Sequence, residues 1–226
     1  MKKLVSFLFL CLLSTPLLAQ STYLAGLLPA LNVNQKITGT WRLNYKVESR
    51  LLGAEGRFSE PTPLEVQHSL TDLAVVASRK VGLNNSLAGG YLIRLEKGGP
   101  AHRLIQQYTL VRSFDYFRLA HRFSADQTFS RTEAAEVRLR YRISFDIPLN
   151  GREVDDREFY LKINHEYLNA LNEGKYGLEI RFVPSLGYAF NDNNKIEFGV
   201  DYRLSDFLTG SPENAFWLPL TWYIGI

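Results

Sequence analysis

Residues 136–147 alternate without a break. Val137, Leu139, Tyr141, Ile143, Phe145 and Ile147 are apolar or aromatic, while Glu136, Arg138, Arg140, Arg142, Ser144 and Asp146 between them are polar. Successive side chains of a β-strand point to opposite faces, so this run predicts one strand with an oily face and a charged face. A helix would scatter the same arginines around its axis. The run is about twelve residues long, more than an ordinary strand needs and enough for a tilted strand that crosses a bilayer.

The same period recurs along the chain. Residues 40–51 place Trp41, Leu43, Tyr45, Val47 and Leu51 opposite Arg42, Asn44, Lys46, Glu48 and Arg50. Further strands are predicted over 66–79, 87–96, 102–112, 116–123, 159–167, 176–190, 196–204 and 215–226. Residues 21–38 are weakly patterned and read as a lead-in or a short extra strand. Connections fall at Gly53 to Pro63, at the turn pair Asn84-Asn85, at 97–100, 113–115, 124–134, 148–157, 172–175 and 191–194, and at 205–214. No segment reads as a helix. The prediction is an all-β, antiparallel up-and-down transmembrane barrel of about ten strands, with eight or twelve as alternatives. An even count lets the first and last strands pair antiparallel. Short turns are expected at one rim and longer polar loops at the other. Residues 97–100 (short) and 148–157 (long) fit that alternation poorly.

Alternation alone does not say which face is inside. A soluble periplasmic, lipocalin-like barrel would line an apolar ligand cavity with the oily face, whereas a membrane barrel turns that face to lipid. The oily face is bulky on nearly every strand. Aromatic residues recur near strand ends at Trp41, Tyr91, Phe123, Tyr176, Phe190, Phe216 and Trp222, as interfacial girdles do. Lipid-facing positions are therefore expected at Trp41, Leu43, Tyr45, Val137, Leu139, Tyr141, Ile143, Phe145, Ile180, Phe182, Phe198, Tyr202 and Trp222. The closing strand resembles the segment that outer-membrane barrels present to the assembly machinery, although it ends on Ile226 instead of an aromatic residue.

The first twenty residues set the compartment. Lys2 and Lys3 precede an apolar run from Leu4 to Leu13, and Leu17-Leu18-Ala19 leads into Gln20, a secretory signal with a cut expected after Ala19 or Gln20. The division expected is a signal peptide over 1–20 and a barrel over 21–226, exported to the outer membrane of a Gram-negative cell. Cys11, the one cysteine, lies in the signal, so the exported chain has no disulfide or thiolate chemistry. The formal charge of the 226 residues is +3, and the signal lysines contribute two of those charges. A chain so nearly balanced gives no reason to expect a nucleic-acid partner.

Several of these stretches together resemble a known family. They are the signal, the strand at Trp41, Gly90-Tyr91, the Arg138/Arg140/Arg142 strand ending in Pro148-Leu149, Gly187-Tyr188, and Asp201-Tyr202-Arg203. They are similar to a family of small outer-membrane β-barrels catalogued as a domain of unknown function, DUF2490. The resemblance implies a barrel and an outer-membrane address, with no activity or catalytic residue to carry over.

The charged face supplies the candidate site. Arg50, Arg94, Arg118, Arg122, Arg138, Arg140, Arg142, Arg181 and Arg203 share it with Glu48, Glu96, Glu136, Glu166, Glu179, Glu197 and Asp201. Two readings follow: an anion-selective pore or an anionic-ligand site, or a lattice of ion pairs that plugs a narrow lumen. Pairing is the expectation, because an unpartnered buried charge is costly. The functional expectation is thus a non-enzymatic, monomeric barrel acting as a structural barrel or a narrow channel. Its rival among enzymes is an outer-membrane lipid-modifying hydrolase, which needs a serine, a histidine and an acid together near a rim. Of His68, His102, His121 and His165, the candidates are His121 and His165, which fall on the oily face near strand ends, with Ser124 and Ser130 in the loop just beyond His121. No metal motif or phosphate loop occurs, and no cofactor is expected. The Asp155-Asp156 pair and the asparagine cluster at 191–194 read as solvated turns, with calcium binding as the alternative.

Overall fold

A computed structural model describes residues 21–60, 62–131 and 134–226. The expected signal segment lies outside the described residues. The chain runs through β1 (Thr22–Lys36), β2 (Trp41–Arg57), β3 (Gln67–Lys80), β4 (Asn85–Glu96), β5 (Ala101–Ser113), β6 (Arg118–Phe129), β7 (Glu136–Pro148), β8 (Glu158–Asn172), β9 (Lys175–Asn191), β10 (Asn194–Gly199), β11 (Asp201–Ser205) and β12 (Glu213–Gly225), with one 3₁₀ turn at Phe207–Thr209. Each strand pairs with its sequence neighbour and β1 closes on β12, which makes a barrel. β10 and β11 are halves of one strand, since both pair with β9 and with β12 in one continuous register across Val200. The barrel therefore has 11 strands.

An odd count changes the closure. β1 and β12 run parallel, from Thr22 opposite Glu213 to Asn34 opposite Gly225. The antiparallel closure expected from an even count is corrected by residues 21–38, which form a full strand, β1. Its alternation is muted because small and mid-polar residues (Ala25, Gly26, Ala30, Asn32) occupy positions where other strands carry bulk or charge. The chain thus enters at one rim, here the N rim, and leaves at the other, the C rim.

Three loop assignments also change. Residues 172–175 form a tight hairpin in which Glu173 (φ 48°) and Gly174 (φ 76°) both adopt the positive φ that a two-residue type I′ turn demands. β2 continues through Gly53 to Arg57, with register shifts between Ala25 and Gly26 on its β1 side and between Arg50 and Leu51 on its β3 side. Such bulges bend the wall locally. Finally, β6 extends through Phe129, so that Ser124, Asp126 and Thr128 face inward from a stretch whose polarity reads as a loop.

Strand register fixes which face is which. Arg138, Arg140 and Arg142 stand opposite Asp126, Ser124 and Arg122 on β6 and opposite Ala170, Leu168 and Glu166 on β8, and this whole layer points into the barrel. The oily layer points out. Leu139 is 58 % exposed, Phe123 50 % and Trp222 50 %, whereas Asp126 is 0 % exposed. The soluble-binder arrangement, with aromatic side chains turned inward around a cavity, is not the one formed.

Candidate functional site: the barrel interior

Two close approaches shape the lumen. Near the N rim Trp217 of β12 turns inward across Gly26 of β1; a Cβ at Gly26 would sit 2.7 Å from the Trp217 ring. Leu28 and Ala215 pack with Trp217, and Leu24 and Leu52 lie against this cluster. The guanidinium carbons of Arg50 and Arg203 stand 5.8 and 6.0 Å from the indole centroid. A cation over an aromatic face is attracted by the ring quadrupole. Further along, the Tyr160 ring lies over Gly187, where any Cβ would collide with it.

Between these points runs a charge lattice. Asp126 Oδ2 lies 2.7 Å from Arg140 Nη2 and 3.8 Å from Arg138 Nη2. Arg140 also reaches Glu166 at 3.9 Å, so it joins β6 to β8. Glu166 accepts from Arg142 Nε at 2.7 Å and lies 3.4 Å from Arg181, which in turn pairs with Glu179. Arg138 meets Glu136 at 3.6 Å. Elsewhere Arg94 grips Asp72 with two bonds, of 2.8 and 2.9 Å. Arg203 pairs with Asp201 at 2.7 Å, Lys46 with Glu48 at 2.6 Å, and Arg118 with Asp146 at 2.6 Å. Charges taken from water are tolerated when each finds an opposite partner with hydrogen-bond geometry. Arg94–Asp72, Arg142–Glu166 and Arg203–Asp201 meet that condition, whereas Asp126 is held near Arg140 and Arg138 by charge alone, without a hydrogen bond to either oxygen.

A second hub lies toward the C rim. Glu197 accepts from Tyr160 Oη at 2.9 Å, Lys162 Nζ at 3.0 Å and Tyr223 Oη at 3.1 Å. Above it opens a cavity of about 760 Å³ whose wall includes Lys36, Arg42, Arg118, Asp146, Lys195 and the loop residues Arg152, Glu153 and Val154. The long connection 149–157, anomalous in the sequence pattern, therefore folds over the mouth of the lumen. It is held at its base by Asn150 Nδ2 donating to Glu158 at 2.6 Å and by Arg157 N donating to Ala189 O at 2.7 Å.

The interior-face residues named from sequence all lie on the inward layer, but the structure does not bring them all together. Glu96 sits exposed at the N rim. Arg50 and Arg122 have no carboxylate within ion-pair distance among the described residues. The candidate set drawn from sequence left out the partners Asp72, Asp126, Asp146 and Lys162, the tyrosines Tyr160 and Tyr223, and Trp217, although parity alone puts Asp146, Tyr160 and Lys162 on the charged face. Extending the period of two through 124–129 would have found Asp126.

The family relationship agrees with this architecture. The family model described as "Protein of unknown function (DUF2490)" matches residues 25–214. The chain belongs to that family. Comparison with curated proteins and with solved structures gave no match. The matched span takes in the whole charge lattice of this DUF2490 barrel, from Glu48 to Arg203.

Two details of the DUF2490 barrel bear on catalysis. His121 and Ser124 lie on opposite faces of β6: His121 bonds Tyr141 Oη at 2.8 Å on the outside, while Ser124 is buried inside. The outward His68 instead meets Thr71 Oγ1 at 2.9 Å, and Thr71 meets Ser49 Oγ at 3.0 Å. No acid joins that chain among the described contacts. No group of histidine, cysteine and acidic residues able to hold a metal occurs among the described residues.

Proposed function

We propose that this DUF2490 barrel spans the outer membrane of a Gram-negative cell with its oily face in lipid. It serves there as a structural barrel or narrow channel whose lumen is throttled by ion pairs. One observation carries the reading. Among the described strand residues, outward positions hold no aspartate, glutamate or lysine, and their two arginines, Arg79 and Arg112, lie close to the C rim. In water, exposing side chains such as Leu139, Phe123 and Trp222 would forfeit about 1.5–3 kcal/mol each. In lipid the same placement is favourable, and a closed barrel leaves no strand edge unpaired.

The outward polar side chains support this reading, because they satisfy one another. Gln106 and Gln127 each donate a side-chain amide N–H to the other's carbonyl oxygen, at 3.0 and 3.1 Å, Tyr91 hydrogen-bonds His102 at 2.6 Å, and Tyr176 donates to Asn169 at 2.7 Å. Water would make such pairing unnecessary; lipid requires it.

Cell fractionation and folding into lipid vesicles test the membrane assignment. The chain is expected in the outer-membrane fraction and to fold only when vesicles or micelles are supplied. A folded monomer in detergent-free buffer overturns it. Planar-bilayer recording tests the throttled lumen: brief, small events or silence are expected, and a large steady conductance overturns it.

A further inference from the structure

The C-rim cavity holds more positive charge than its own acids neutralise. Asp146 is engaged by Arg118 and lies 4.0 Å from Lys162, and Glu197 is engaged by Lys162 and two tyrosine hydroxyls. Lys36, Arg42, Arg152 and Lys195 also line the cavity, and none has a carboxylate within ion-pair distance among the described residues. Lys195 rests 5.9 Å from the Tyr160 ring centroid, which leaves its ammonium free to bond elsewhere. Opposing them are Glu153 and Asp192, both on connections at the lip.

Below the cavity the excess continues. On β6, Arg122 lies two inward positions deeper than Arg118 and stands directly opposite Arg142 on β7. Like charges placed opposite one another across a strand pair repel. Glu166 is already committed to Arg142. Arg122 is nevertheless exposed, although it points into the barrel, so the lumen is not filled by side chains at this level. A deep cavity walled by fixed cations, with an unpaired guanidinium beneath it, focuses positive potential at one spot.

We propose that the C-rim cavity is a binding site for a small anion bearing carboxylate or phosphate groups. Lys36, Arg42 and Lys195 hold it at the wall, and Arg122 draws it inward. The cavity volume suits a metabolite-sized molecule. The site goes beyond the membrane reading and stands whether or not the lumen conducts.

The test is calorimetric titration of the refolded full barrel in neutral detergent with pyrophosphate and, separately, citrate. Saturable binding of at least one is expected, weakened tenfold or more by Arg42→Gln combined with Lys195→Gln, and weakened again by Arg122→Gln. Arg112→Gln, on the outer face, should change nothing. Arg42→Gln alone, at the exposed lip, provides a variant with little risk to folding and should weaken binding severalfold. Repeating the titration in nanodiscs separates the two sources of such a group. Equal affinity in zwitterionic and phosphatidylglycerol discs marks a free solute, whereas competition by phosphatidylglycerol that Lys195→Gln abolishes marks a lipid headgroup. Absence of saturable heat with both anions overturns the proposal, as does equal weakening by Arg112→Gln. Because the primary titration uses micelles, failure of membrane insertion or conductance would leave its result unaffected.

Discussion

Arg140 Nη2 lies 2.7 Å from Asp126 Oδ2, and Asp126 is 0 % exposed. The same guanidinium reaches Glu166, so one side chain ties β6 to β8 across β7. Asp126→Asn leaves Arg140 and Arg138 short of a counter-charge in a buried lattice. Breaking one partner of such a pair costs about 3–5 kcal/mol. Urea unfolding of vesicle-reconstituted protein should show that loss, while Glu96→Gln, at the exposed N rim, should fall within about 0.5 kcal/mol of the parent.

Gly187 exists to admit the Tyr160 ring. Gly187→Val would place new carbons inside that ring, displacing the hydroxyl that donates to Glu197. Overpacking of this kind costs about 1–3 kcal/mol. Tyr160→Phe keeps the ring and removes only the hydrogen bond, for about 1 kcal/mol. A smaller loss of thermal midpoint for Tyr160→Phe than for Gly187→Val is the expected order; the reverse would mean that the ring contact is unimportant.

The membrane reading makes a depth-dependent prediction on the outer face. Leu139→Arg lies mid-strand on β7 and should cost about 2–4 kcal/mol of folding free energy into vesicles, while Leu87→Arg near the C rim should cost about 0–1 kcal/mol. Both residues are more than half exposed, at 58 % and 51 %. For a protein folded in water the two substitutions would be equally mild.

Trp217 obstructs the lumen near the N rim. Trp217→Ala removes a side chain that is 5 % exposed and packs on Leu28. The stability loss should be about 3–5 kcal/mol. Arg50 and Arg203 would lose their shared ring, and bilayer recordings should show larger unit conductance than the parent. Unchanged conductance would place the constriction in the charge lattice instead.

Much of this was legible in the chain. The alternation in β7, β8, β9 and β12 fixes inward and outward sets residue by residue, because a strand's two faces follow from parity alone. Parity failed where composition misled. β6 beyond Phe123 reads as a polar loop because Ser124, Asp126 and Thr128 serve an interior that is itself polar, while Ala125 and Gln127 make a weak outer face. β1 was faint for the opposite reason: its inward side holds Gly26, Ala30 and asparagines, since Trp217 and the neighbouring strands fill the space.

The sequence by itself determined the all-β class, the two faces, and the residues that carry charge inward. The three-dimensional structure decided the odd strand count and its parallel seam, the partner of each arginine, and the cavity under residues 149–157. The physical reason is one of range. Facing depends on a period of two that any short segment displays. Ion pairing depends on how eleven strands stagger against one another, and on two bulges that shift β2 against β1 and β3. Arg140 and Arg122 occupy equivalent places in their own strands' patterns, yet only the stagger gives Arg140 two carboxylates and Arg122 an arginine.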